Sequence, residues 1–418
     1  MNRRQILTGG ASAAVLAAAL GAGARRAEAA NEVVIGAIYP LSGASADVGL
    51  QARHASETAI EIINNSYAFD LLCARAAGLP KLGGAKVRVV FADHQGDPEK
   101  GRSEAERLIT SEKVTALIGC YYSNVSAPVS YVAERYGVPF LCADSSSPAL
   151  SRHGLKYFFR PAPNDEMFTA AMFDFFDAER AKGKKIETLG LFHEDTIFGT
   201  DSAAVQNSLA KARGYKVVVD VKYQANSPSL TSEVQKLKTA NPDVLMPSSY
   251  TSDAILLVKT MAQLGYAPKN IVAQAAGFAS QALYDAVGNL LGGVISRASF
   301  SLDLEKKRPF IATVNDLFKK QSQRDLDDNS SRQLMGLLVL ADAINRAGSK
   351  EGAKIRDALA ATNVPASETI MPWKKLVFGP DGQNPDASPV LLQYEGGKFV
   401  TIFPDNVAVT QAQWPMHA

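Results

Sequence analysis

From residue 32 onward, short apolar runs alternate with stretches whose apolar residues recur every three or four positions. The runs EVVIGAIYP (32–40), KVRVVFADH (86–94), VTALIGCYY (114–122) and GVPFLCADS (137–145) are rich in Val, Ile, Leu and Phe without strict alternation. Strands covered on both faces read this way, because neither side of the sheet meets water. Helical stretches lie between them at about 45–64, 98–110 and 126–136. Strand, helix, strand, helix predicts βαβ units and a parallel sheet. The pattern pauses at FFRPAPNDEMF (158–168), where Pro161 and Pro163 interrupt the chain and Asn164 is placed to cap a new helix. A second series follows: ETLGLFHED (187–195), YKVVVDVKY (215–223), PDVLMPSSY (242–250) and KNIVAQAAG (269–277), with helices at about 199–213, 229–240 and 252–264. After GGVISRASF (292–300) come helices near 308–321, 332–347 and 351–361, then KKLVFGPDGQ (374–383) and the hairpin-like PVLLQYEGGKFVTIF (389–403). The expectation is one α/β architecture built twice, without a sequence repeat.

A chain of 418 residues is long for one core, so two units fit the length as well as the pattern. The formal charge of +2 is misleading: residues 1–30 hold Arg3, Arg4, Arg25 and Arg26 against Glu28, and the remainder carries 40 bases and 41 acids. A near-neutral protein has no electrostatic reason to seek nucleic acid or an anionic membrane. Residues 1–29 read as an export signal of the twin-arginine (Tat) type: NRRQIL, a weakly apolar Ala/Gly stretch, then small residues at Ala27 and Ala29. No Cys stands near that cleavage site, so no lipid anchor is expected there, and no later run is apolar over about 18 residues. Cys73, Cys120 and Cys142 show no metal spacing. Pairing of Cys120 with Cys142 is conceivable, and small buried hydrophobes are the favoured reading.

In open α/β sheets, ligands bind at the carboxyl ends of the strands. That directs attention to Ser42, Ser123, Asp144–Ser147, His193–Phe198, Ser248–Tyr250 and Gln274–Gly277. GDPEKGRS (96–103) nearly fits a phosphate loop, but Arg102 replaces the lysine, and Asp97 and Glu99 would repel phosphate. It reads as a turn opening a helix. No GxSxG elbow, HxH, HExxH or calcium-loop pattern occurs, which argues against hydrolysis and metal chemistry and leaves no cofactor to expect. What remains is binding. Ser123 precedes a helix beginning near Val125 and Ser145–Ser147 precede Pro148 at the start of another, two ends where amides and dipole would receive a carboxylate.

At these loops the sequence resembles the branched-chain-amino-acid-type periplasmic binding proteins of ABC importers. The resemblance is carried by IGAIYPLSGASADVGLQARHASETAIEIIN, FADHQGDP, LIGCYYSNVSAPVSYVAERYGVPFLCADSSSPALSRHG and HEDTIFGTDSA. It implies two Rossmann-like lobes joined by three crossovers near 158–163, 296–300 and 370–376. Lobe one would hold 31–160 and 299–370, and lobe two 161–298 and 371–418, closing on ligand by a hinge. It implies a ligand site at Tyr121, Tyr122, Ser123, Asp144, Ser145 and Ser146 on the first lobe. Phe198, Tyr250, Ala276 and Gly277 would face them from the second. The expected role is capture in the periplasm, by a monomer without a reaction of its own, for delivery to the membrane subunits of an ABC permease. A sensor with the same cleft, or less readily a Tat-exported hydrolase, are the alternatives. Amino-acid-binding members carry an acid after the strand matching NIVAQAAG to receive the ammonium, whereas Gln274, Ala275, Ala276 and Gly277 stand here. That departure favours an aromatic or aliphatic carboxylate or an amide over an amino acid, unless Asp144 takes the ammonium.

Overall fold

The computed structural model describes residues 32–416, so the expected signal at 1–29 lies outside the described residues. The first sheet has five strands: β1 (Glu32–Tyr39), β2 (Lys86–Asp93), β3 (Ala116–Gly119), β4 (Phe140–Cys142) and β5 (Phe158–Phe159). Their order is β2-β1-β3-β4-β5, parallel throughout. The helices α1 (Ala46–Asn64), α2 (Pro98–Thr110) and α3 (Ser123–Tyr136) connect them. Helix α4 (Asp165–Ala181) leads into the second series: β6 (Thr188–Glu194), α5 (Ile197–Ala212), β7 (Lys216–Tyr223), α6 (Thr231–Ala240), β8 (Val244–Ser248), α7 (Thr251–Gln263), β9 (Val272–Ala273), α8 (Gln281–Val287) and β10 (Ile295–Ala298). The chain continues as α9 (Phe310–Ser322), α10 (Asp328–Ala347), α11 (Gly352–Ala360), a small hairpin of β11 (Asn363–Pro365) and β12 (Lys375–Val377), and the hairpin β13 (Val390–Glu395) and β14 (Lys398–Phe403). Strands β7-β6-β8 are parallel, a Leu245–Ile271 bridge links them toward β9, and β9 and β10 continue to the antiparallel pair β13 and β14. The α/β architecture with largely parallel sheets is therefore the one the apolar runs announced.

Local signals explain the element boundaries. Asp97, in the near-phosphate loop, accepts from the amides of Glu99 and Lys100 and starts α2 with Pro98 in its first turn, a cap and nothing more. Asn164 accepts from the Met167 amide and starts α4. Helix α10 opens with a capping box between Asp327 and Ser330 and then runs buried. It lies directly on the first sheet because Gly336 has no side chain: a Cβ there would stand 2.9 Å from Leu141 and 3.2 Å from Ile118.

Two expectations change. The insertion SYAFDLLCARAAGLPKLGG (66–84) reads in the sequence as a surface elaboration, yet Leu71, Leu72, Ala74 and Leu79 are buried in the first core, and Cys73 donates to the Leu338 carbonyl at 3.4 Å. Residues from 371 onward were assigned to the second lobe, yet Met371, Trp373, Leu376 and Ala387 pack in the first core. The third passage comes after them, where Gln383 bridges Arg160 in parallel and the Asn384 amide donates to the Arg160 carbonyl. All three cysteines are free, with Cys120 and Cys142 fully buried.

Candidate functional site

Parallel strands send their carboxyl ends to one edge of a sheet, and the two sheets present these edges to each other. On the first sheet's side the chain leaves β3 through a sharp turn in which Tyr121 takes φ +77°, and α3 begins at Ser123. A bulky residue in the left-handed region is costly, so surrounding contacts must hold it. His94 supplies one. Its Nδ1 accepts from the Gly96 amide at 2.9 Å, so its Nε2 carries the proton and donates to the Cys120 carbonyl at 3.0 Å. Burial lowers the imidazole pKa to about 4, keeping the ring neutral. A hydroxyl relay supplies the second: the Cys120 amide donates to Ser126 Oγ (3.3 Å), Ser126 donates to Ser145 Oγ (2.7 Å), and Ser145 donates to the Tyr121 carbonyl (3.0 Å). Ser145 is thereby committed to joining two loops.

The loop after β4 is held by two buried arginines. Arg160 donates to the carbonyls of Ser145 (3.1 Å) and Ser147 (2.7 Å) and to Gln383 Oε1 (2.6 Å). Pro148–Ser151 is one 3₁₀ turn and not the second helix end expected there, and the Ser147 carbonyl that opens it accepts from both Arg160 and the Leu150 amide. Arg332 donates to the Asp144 carbonyl at 2.6 Å and lies 3.8 Å from its carboxylate. The same carboxylate meets the Tyr39 hydroxyl at 2.5 Å, and that hydroxyl also meets Gln333 Oε1 at 2.5 Å. Burial raises Asp144 to a pKa of about 6 against the lowering effect of Arg332. Asp144, offered by the sequence as an ammonium partner, already has a cation. Ser146 differs: it accepts from Arg297 Nη2 at 3.4 Å, which leaves its own proton to donate.

Facing this wall, the second sheet contributes Phe198 from the first turn of α5 and Tyr250 from the residue before α7. Tyr250 packs its ring 4.3 Å from Tyr122, 5.2 Å from Tyr121 and 5.1 Å from Phe198, centroid to centroid. The Ser123 amide points at the Tyr250 hydroxyl over 3.4 Å, and Ser147 donates to the Asp201 carboxylate on α5. Ala275 and Ala276 both adopt positive φ (47° and 50°), and the Gly277 amide donates to the Ser249 carbonyl at 2.9 Å. A Cβ on Gly277 would sit 2.8 Å from the Tyr250 carbonyl, so glycine is what lets this loop close on Tyr250. Gln274 donates to Asp165 at 2.9 Å.

The structure thus gathers Tyr121, Tyr122, Ser123, Ser146, Phe198, Tyr250, Ala276 and Gly277 around one interface, with Asp144 and Ser145 behind it as supports. A cavity of about 100 Å³ opens between the two walls, with Tyr122, Asn124, Tyr250, Glu194 and Asp253 inside and Ala44, Gln95 and Asn226 exposed at its rim. Glu194 ends β6 and Asp253 lies in the first turn of α7; the sequence pointed to the strand tip His193–Phe198 without giving Glu194 a role, and Asp253 lay outside the tips it pointed to. Burial raises Glu194 to a pKa of about 8, and it raises Asp253 as well. Two other histidines are engaged: His193 with Asp220 (3.3 Å), and His153 stacked on Tyr131. Among the described residues no helix is long and apolar enough to cross a membrane, and no group of three His, Cys, Asp or Glu could hold a metal.

A family model for periplasmic binding proteins matches residues 32–398. Leu/Ile/Val-binding protein homolog 7 of Brucella suis biovar 1 (strain 1330) is 28% identical over 413 residues, covering 96% of this chain and 98% of the relative. Leu/Ile/Val-binding protein homolog 8 of Brucella abortus (strain 2308) is 28% identical over 390 residues, covering 92% and 93%. Among solved structures, a leucine-binding protein, LivK, of Thermotoga maritima aligns with a TM-score of 0.75 at 21% identity, over 90% of this chain and 99% of that one. The branched-chain amino acid binding protein LivJ of Streptococcus pneumoniae, in complex with isoleucine, aligns with a TM-score of 0.74 at 17% identity, over 89% and 100%. The chain belongs to the periplasmic binding protein family.

Proposed function

We propose that this member of the family is the capture component of an ABC importer, taking a small carboxylate-bearing solute, an amino acid foremost, between its two lobes in the periplasm. The observation that carries the reading is the meeting of two strand-tip walls beside a small cavity, with Ser123 and Ser146 on the first wall, Phe198 and Tyr250 on the second, and the Ser123 amide aimed at the Tyr250 hydroxyl. Ser123 at the start of α3 and Ser146, with its free proton, receive the carboxylate, where amides and helix dipole favour an anion. Tyr121, Tyr122, Phe198 and Tyr250 set the shape of the site. The Leu/Ile/Val-binding names of the relatives favour an amino acid over other carboxylates or amides. The lobes move about the three passages, closure brings Tyr250 onto Ser123, and the closed form docks on the permease. Export by the twin-arginine route, a free rather than lipid-anchored chain, and a monomeric state complete the proposal.

A thermal-shift panel tests it directly. A solute that binds only the native state raises the melting temperature by mass action, by about 2.7 kcal/mol of stability at a hundredfold excess over Kd. Branched-chain and other amino acids, aromatic carboxylates, short dicarboxylates and amides form the panel. A concentration-dependent rise with one class is expected, amino acids foremost. Flat melts throughout, with a permease-free turnover of any panel member, would replace capture by catalysis.

A further inference from the structure

Seven acids are buried among the described residues, and five of them have a cation within 4 Å. Asp144 and Asp328 have Arg332 (3.8 and 2.9 Å), Asp165 has Arg297 (3.7 Å), Glu179 has Lys182 (2.7 Å) and Asp243 has Lys269 (3.0 Å). Glu194, with no exposed surface, and Asp253, 3% exposed, have none, and these two share the interlobe cavity. Glu194 Oε1 accepts from Thr196 at 2.5 Å while Oε2 is buried without any partner; Asp253 accepts from the Asn226 amide at 3.0 Å and faces the Tyr223 hydroxyl, neither of them a cation. A buried carboxylate without a cation is expensive, and such groups are normally paired or neutralised. The protein compensates its other five buried acids and leaves uncompensated the two that line the cleft.

The walls around them favour one kind of cation. Tyr122 and Tyr250 flank the same cavity with their rings 4.3 Å apart, and an aromatic face beside a carboxylate attracts an alkylammonium through both charge and quadrupole. A metal ion would need a third hard ligand, and no such group of three exists among the described residues. At about 100 Å³ the cavity holds roughly three waters' worth of volume, enough for an aminomethyl end of a solute whose remainder lies elsewhere in the cleft.

We propose that Glu194 and Asp253, flanked by Tyr122 and Tyr250, form a subsite for an organic ammonium group, so that the captured solute presents an amine to the second sheet's strand tips. The proposal rests on the capture reading and gives this chain an ammonium partner in place of the acid missing at 274–277. It reverses the preference, drawn from that missing acid, for solutes without an amine.

Three matched probes test it by isothermal titration of the purified chain: L-leucine, isovalerate, which lacks the amine, and isoamylamine, which lacks the carboxylate. Leucine or isoamylamine is expected to bind at least tenfold tighter than isovalerate. Glu194→Gln should weaken the amine-bearing probe at least tenfold while leaving isovalerate within threefold. If Glu194→Gln does not fold, as judged by its melting transition, Asp253→Asn carries the same expectation. Isovalerate binding as tightly as leucine, or a Glu194→Gln variant that keeps its affinity for the amine, overturns the subsite and leaves capture standing. No binding of any probe by the parent chain overturns both.

Discussion

Replacing Glu194 by Gln should make the protein more stable at alkaline pH, and the size of the gain follows from its surroundings. Asp195 adjoins it, Asp253 faces it from α7, Tyr223 from β7, and Tyr122 and Tyr250 across the cavity, with no base among them. Burial first, then the neighbouring acids, raise its pKa from an ordinary 4.5 to about 8. At about 1.4 kcal/mol per pH unit, that rise corresponds to at most about 5 kcal/mol between the protonation states. The sign is fixed by which state holds the proton. Between pH 4.5 and about 8 the folded form keeps a proton that the unfolded form has released, so stability falls as pH rises through this window and levels off above it. Glutamine keeps the shape and cannot ionise, so this contribution vanishes. Urea unfolding of parent and variant from pH 5 to pH 9 should give difference curves near zero at pH 5 that open by several kcal/mol at pH 9. Groups common to both proteins, such as Asp144 and His94, cancel in the difference. Parallel curves across the whole range would mean that Glu194 is well solvated or paired, and the reasoning built on its isolation would fail.

Other substitutions probe the two walls. Arg160→Met removes the donor to two carbonyls and a side-chain amide with no acid left behind, and at about 1.5–3 kcal/mol for a hydrogen bond to a charged group it should cost at least 3 kcal/mol in urea unfolding; less than 1 would show that the 145–147 loop holds itself. Gly277→Ala puts a methyl 2.8 Å from the Tyr250 carbonyl and should weaken binding of the best panel solute about tenfold by titration, whereas unchanged affinity would mean that Tyr250 need not sit where it does. Tyr250→Ala, which removes a ring touching three others, should weaken that solute more than Ser123→Ala, whose hydroxyl accepts only a long contact from the Ser147 amide at 3.5 Å; the reverse ranking would shift the site toward the first lobe.

Much of the fold was legible because it depends on local patterns. Short apolar runs bounded by turn residues read as doubly covered strands, and Asp97 and Asn164 cap helices through bonds spanning two or three residues. The misplaced boundary at 371 shows where locality ends. Trp373 and Leu376 look the same in either lobe, and only their position over the first core decides between them. Stretch 66–84 is a related case: an insertion reads as a surface elaboration, and only the packing of Leu71, Leu72 and Leu79 shows that it is anchored.

The site was legible as a set of strand tips and illegible as a set of partners. Ser145 and Ser146 are adjacent and alike in sequence, yet one proton is spent on the Tyr121 carbonyl and the other is free, a distinction made by Ser126 and Arg297 from distant segments. The acid pair was hidden by the same effect. Asp253 in the first turn of a helix has a sufficient local reason to be there, since the dipole favours it, and Glu194 in HED reads as one more polar residue at a strand end. Their meaning comes from what the rest of the chain withholds: 44 lysines and arginines are available to 42 acids, and none is placed against these two although five other buried acids receive one. An uncompensated pair in a packed interior is a cost with no folding benefit, and its position beside Tyr122 and Tyr250 in the cavity between the walls is where a solute's own cation would remove that cost.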